Sequence, residues 1–147
     1  MVFDEVIMNL PASAVDFLDV FSGLGTRSAS FDYSRLPRVH VYAFSSADDV
    51  VADVASATAA RLGCEVAALR FEGSAQSADA AREAAAEGRL LRVPCWGHIV
   101  RDVSPKKMMV CLSFTLPESV ARAHPVVMKK RAAVEAIDAH SDKRSKL

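Results

Sequence analysis

Apolar residues recur along this chain with two different periods, and the changes of period divide it into elements. Val2 to Met8 is a short apolar run holding Asp4 and Glu5, closed by Asn9-Leu10-Pro11; this is a buried-type strand followed by a turn. From Ala12 to Phe21, Val15, Leu18 and Phe21 fall at helical spacing and Phe17 broadens the stripe. Pro11 suits the entry of that helix, where its missing N–H would be unpaired anyway, and Gly23 and Gly25 end it. Thr26 to Leu36 is polar and loop-like. After Pro37, Arg38 to Phe44 alternates as a second strand. Asp48 and Asp49 then suit the positive end of a second helix, in which Val51, Val54, Ala55 and Leu62 form one buried stripe with Thr58 its only polar member. Gly63 is its stop.

Cys64 to Phe71 fits either a strand or more helix. Glu72 to Gly88 is rich in Ala, Ser and Glu, with an exposed helix over Asp79 to Glu87. Residues 72–94 therefore read as an insertion, either mobile or packed as a surface helix. The pattern sharpens again in the last third. His98 to Val103 is a strand, Ser104-Pro105-Lys106-Lys107 a tight turn, and Met108 to Leu116 a longer strand, which together make a hairpin. A short helix and a polar, basic tail at 141–147 follow. Strand, helix, strand, helix predicts an α/β chain with parallel strands and right-handed crossovers, to which the hairpin adds one antiparallel strand.

Composition adds bounds. The chain has 147 residues, enough for one domain with a real core. Lys plus Arg and Asp plus Glu are 18 each, so any affinity for nucleic acid must come from a local patch. Cys64, Cys95 and Cys111 have no framework spacing, which predicts an intracellular, reducing setting. No apolar run reaches bilayer length. The opening residues are acidic where a signal peptide would be basic, and they enter a core-type strand at once, as in a piece of a longer chain.

The residues with a claim to chemistry are few. Asn9 stands past the carboxyl end of the first strand, the edge where open α/β sheets bind ligands. Its amide offers a donor and an acceptor, a match for a purine's N1–H and carbonyl edge, and Pro11 stiffens the turn. Taken alone, an Asn before a turn is ordinary turn chemistry. Cys95 and His98 have two-ligand spacing but no second pair, so no metal site is expected. Cys111 and the pair Met108-Met109 read as packing. His40 alternates with Val39 and Val41 and so faces the other side of its strand, packed or solvated. His98, His124 and His140 have no visible acid or nucleophile beside them. Trp96 reads as a loop anchor, with base stacking as the alternative.

In combination these pieces carry more. The segment from Asp4 to Asp19, DEVIMNLPASAVDFLD, resembles the fourth conserved motif of the archaeal and eukaryotic tRNA (guanine-37-N1)-methyltransferases, in which Asn-Leu-Pro replaces the Asn-Pro-Pro-Tyr of other amino-methyltransferases. Leu36 to Tyr42, Val100 to Lys107 and Met109 to Pro117 resemble that family's next strand, hairpin and final strand, in the same order. The resemblance implies the C-terminal half of a Rossmann-like class I methyltransferase fold, spanning residues 1–140, with a final antiparallel hairpin strand. It implies transfer of a methyl group from S-adenosylmethionine to N1 of guanosine 37 of tRNA. Asn9 then holds the guanine beside the methyl donor, with Leu10 and Pro11 shaping its turn. The hairpin turn shares Asn9's edge, so Arg101, Lys106 and Lys107 are expected to meet tRNA phosphates; a solvated turn is the plainer alternative for each.

The family's glycine-rich cofactor loop and second-strand acid are absent, since Gly23-Leu24-Gly25 follows a helix instead of a strand. Most of the cofactor site therefore lies in an upstream half, which becomes an implied partner, and the chain alone is expected to be inactive. It would leave a sheet edge open to aggregation or homodimer formation. The related wybutosine-pathway aminocarboxypropyl transferase and a noncatalytic interaction domain are the rival readings. Members of the family occur in cytoplasm, nucleus and mitochondrion.

Overall fold

The computed structural model describes residues 3–124. Five strands form one sheet: β1 (Glu5–Met8), β2 (Arg38–Ser45), β3 (Phe71–Ala75), β4 (Cys95–Ser104) and β5 (Lys107–Thr115), in the spatial order β1-β2-β5-β4-β3. The pairs β1–β2 and β3–β4 are parallel, and β5 is antiparallel to both its neighbours, β2 and β4. Four strands thus run one way and the last, central strand runs against them.

The alternation read from β2 is a division between two sheet faces. Val39, Val41, Ala43 and Ser45 are buried, and the residues between them are half-buried. The buried row is covered by a 3-10 helix, Ala14–Phe21, and by α1 (Val50–Leu62), which pack with Leu112 and Phe114 of β5 into the core. The stripe expected on α1 is the buried one, Thr58 included. Asp49 caps its N-terminus by accepting from the Ala52 N–H at 2.9 Å. Gly63 ends it in the left-handed conformation with φ 73°. Arg61 fastens the two helices together, donating to the Asp16 carbonyl and, at 2.8 Å, to the Asp19 carboxylate.

Three expectations change in the structure. The segment Ala12 to Phe21 winds as a 3-10 helix over Ala14–Phe21, tighter than the α-helix its spacing suggested. Residues 64–71 resolve into a short 3-10 turn, Val66–Leu69, with Arg70 at φ 51° reversing the chain. Residues 72–94 are built into the sheet: β3 pairs with β4, and α2 (Ala78–Ala86) and α3 (Arg89–Arg92) bridge them. The β3 sequence FEGSA lacks a hydrophobic alternation, because an edge strand with a bulge between Phe71 and Gly73 has no need of one.

The crossover from β3 to β4 steps across the sheet in the sense opposite to that from β1 to β2. Right-handed connection therefore puts α2 on the face away from α1, which accounts for the burial of Ala75, Ala81 and Ala84. A short helix, α4 (Glu118–Arg122), closes the described chain. It is fixed by the Gly23 N–H donating to the Val120 carbonyl at 2.9 Å and by Arg122 stacked 3.7 Å from the Tyr33 ring centre. The basic tail at 141–147 lies outside the described residues, as do Val2 and His140. Among the described residues no helix is long and apolar enough to cross a membrane.

Candidate functional site

Asn9 directly follows β1, at the edge where β1, β2 and β4 end, and it is exposed. The corner after it is tightly made. The Leu10 carbonyl accepts from the N–H groups of Ser13 and Ala14 at 2.8 and 2.7 Å. The β1–β2 ladder begins with the Arg38 N–H donating to the Asp4 carbonyl at 2.8 Å and ends with the Phe44 N–H donating to Pro11 at 3.2 Å. The second bond is one residue out of step with the first, so one residue of slack lies in the Asn9-Leu10 corner. Leu10 is 64% exposed. Pro11 helps line a cavity of about 190 Å³ with Val15, Asp16, Phe44 and Asp53. Its polar walls are held: the Asp53 carboxylate accepts from the Ser45 hydroxyl at 2.6 Å.

The hairpin turns through Pro105 and Lys106, with Ser104 paired to Lys107. It does share Asn9's edge, as the strand directions require. It also stands beyond it: Met8 lies opposite Val41, whereas Met108 lies opposite Ser45, which is roughly 13 Å further along the strand axis. Asn9 and the turn therefore flank one edge without forming one pocket. Lys107 packs its ammonium 5.0 Å from the Phe44 ring centre, while Arg101 and Lys106 are exposed. Lys106 lines a second, open cavity of about 810 Å³ with Asp48, Asp49, Ser74 and Gln76, between the start of α1 and the end of β3.

On the face away from α1, the register aligns polar side chains across three strands. His40 of β2 lies between Ile7 of β1 and Ser113 of β5. Its Nδ1 is 2.8 Å from the Ser113 hydroxyl and its Nε2 donates to the Glu5 carboxylate at 2.5 Å. Ser113 continues to the Cys111 sulfur at 3.9 Å. Tyr42 meets the same sulfur; that thiol and burial push its phenol up. Burial raises Cys111, and it raises Cys95 to about 12, so neither is a nucleophile near neutral pH. Burial lowers His98, with the nearby His40 adding to the effect. His98 Nδ1 and the Trp96 indole nitrogen are buried without a hydrogen-bond partner among the described residues. Trp96 lies over Gly73, where an added Cβ would stand 2.3 Å from its ring, so it is an anchor between strands. Among the described residues no three His, Cys, Asp or Glu gather to hold a metal ion.

The alternation of β2 put His40 on this face, but not its partners. Glu5 and Ser113 are 35 and 73 positions away, and only the strand register brings them to it.

No family model and no solved structure matches this chain. Curated proteins do. The tRNA (guanine(37)-N(1))-methyltransferase of Phytophthora infestans is 41% identical over 121 residues, which is 81% of this chain and 22% of that protein. The chain is related to a segment of these methyltransferases. The protein of the same name from Batrachochytrium dendrobatidis is 38% identical over 90% of this chain and 23% of its own length. That of Danio rerio is 36% identical over 79% of the chain and 19% of its own length. The chain thus spans about a fifth of the length of the methyltransferases it matches.

Proposed function

We propose that this chain is the substrate-side part of a tRNA (guanine-37-N1)-methyltransferase, with Asn9 as its contact to the target base. The observation that carries the reading is the place of Asn9: an exposed amide past the carboxyl end of a parallel strand, in a chain whose relatives bear that name over four fifths of its length. On this reading the sheet is the C-terminal half of a Rossmann-like class I methyltransferase fold. Here β1 stands for the family's fourth strand and β5 for its last, antiparallel one.

The amide of Asn9 presents one donor and one acceptor to the Watson–Crick edge of guanine, and the Pro11 corner limits the orientations it can take. Arg101, Lys106 and Lys107 supply positive charge further along the same edge for tRNA phosphates. The cofactor is another matter. Gly23, Gly63 and Gly88 follow helices, Gly25 opens a short 3-10 helix, and Gly73 and Gly97 lie inside strands, so none stands in a loop leaving the carboxyl end of a strand, and these residues do not form a cradle for S-adenosylmethionine. Its site, and the partner half that would bear it, belong to residues beyond this chain. The outer edge of β1 is the natural place for that half to join.

The test is methyl transfer from labelled S-adenosylmethionine to a tRNA transcript bearing guanosine 37. It would compare this chain alone with a longer protein that restores the rest of a relative's length. Activity is expected only in the longer protein, with Asn9→Ala lowering kcat/KM on the order of 100-fold and guanosine replacement abolishing it. A longer protein that folds, binds cofactor and transfers no methyl group overturns the reading. Transfer of an aminocarboxypropyl group would then assign the sister activity, and no transfer of either kind an interaction domain.

A further inference from the structure

We infer that His40 is a positioning residue for the Asn9-Leu10-Pro11 corner, bridging Glu5 on the edge strand to Ser113 on the central one. β1 is four residues long and, among the described residues, hydrogen-bonded to a strand on one side only, so its ladder holds few bonds for a segment that must keep one place. The ion pair of Arg35 with Asp4 adds little, because both side chains are more than half exposed. His40 is different. Its side chain is 25% exposed and sits directly opposite Ile7, two residues before Asn9. Ser113, 4% exposed, lies on the strand paired on both sides. Through His40 an edge strand of the sheet is tied by side chains to its central one.

Imidazole suits this place for a simple reason. The Glu5 carboxylate only accepts, so Nε2 carries the proton. Nδ1 then accepts from the Ser113 hydroxyl when the ring is neutral and donates to it when the ring is charged. The hydroxyl can serve either way, so both bonds survive a change in protonation. A lysine would only donate, and an asparagine would not span three strands.

The Phe44 N–H reports on the corner, because its acceptor is the Pro11 carbonyl. In the 147-residue chain, His40→Ala should speed hydrogen exchange at Phe44 about tenfold while Val110 and Leu112 in β5 keep their wild-type rates. His40→Gln, which retains a donor and an acceptor, should recover most of the protection. Phe44 exchange within twofold of wild type in His40→Ala, or a Gln variant no better than Ala, overturns the inference. Should His40→Ala fail to fold, Glu5→Ala removes only an exposed acceptor and must still speed exchange at Phe44; no change there is equally fatal.

The link to catalysis rests on the function proposed above and is read separately. In the longer protein His40→Ala should lower kcat on the order of tenfold, leave the KM for S-adenosylmethionine unchanged, and be rescued by Gln. An unchanged kcat breaks that link. An inactive wild-type protein would instead overturn the proposed function, and the exchange result would still decide the role of His40.

Discussion

His98 shows how one side chain can set a pH limit on the fold. It is largely buried, its Nδ1 lacks a partner among the described residues, and its pKa lies below the ordinary 6.5. Above that value the ring is neutral whether the chain is folded or not, and stability does not depend on it. Below it the unfolded chain takes up a proton that the folded one refuses, so stability falls with pH until the folded-state value is passed. One group contributes at most about 1.4 kcal/mol per pH unit. Urea unfolding at a series of pH values should therefore show a decline below about 6.5, and His98→Gln should flatten it. An equal slope in that variant would place the acid sensitivity elsewhere. The residue scale is also where sequence reading was least complete. Asn9 could be placed at a strand end from Val2–Met8 and Pro11 alone. The partners of His40, and the missing partner of His98, depend on which strands lie side by side, and no local pattern encodes that.

At the scale of elements, the tightest constraint is the contact of α1 with β4. A Cβ at Gly97 would lie 2.2 Å from Cγ1 of Val51 and 3.5 Å from Cδ1 of Leu112. The helix can seat on the sheet only because that position has no side chain. Gly97→Ala should cost about 1–3 kcal/mol by overpacking. Combining it with Val51→Ala should cost less than the sum of the two single changes, since the second removes the atom that the first collides with. Strict additivity in denaturant unfolding would refute the close approach. Elements with a clear period were legible: α1 from its stripe and its Asp49 and Gly63 ends, β2 from its alternation, and the hairpin from Ser104-Pro105-Lys106-Lys107. Those without one were not. β3 is polar and bulged, and β4 starts at Cys95, three residues before the apolar run that announced it, because its pairing with Phe114 and Ser113 of β5 is a tertiary fact.

For the molecule as a whole, the open side of β1 matters most. The strand order leaves its outer edge without a strand partner among the described residues, and Ile7 beside it is 71% exposed. Leu10, two residues beyond the strand, adds a 64% exposed apolar side chain. Unpaired edges of this kind pair with other chains unless charge prevents it. Sedimentation should thus reveal concentration-dependent self-association, reduced by Ile7→Lys; a chain that stays monomeric at all concentrations, or an association indifferent to the lysine, would count against it.

The position of β5 has its own consequence for how the molecule comes into being. It is the last strand among the described residues and the middle one in space. Among the described residues the earlier strands make two parallel pairs, β1 with β2 and β3 with β4, that are hydrogen-bonded to each other only through β5. Only when residues up to Thr115 emerge can one strand insert between them, joining segments that lie far apart in the sequence. Closure of such non-local pairings is slow. Until then the strand edges that become the middle of the sheet are open to any passing chain, which makes the time before Thr115 is made the interval in which a chaperone would matter most.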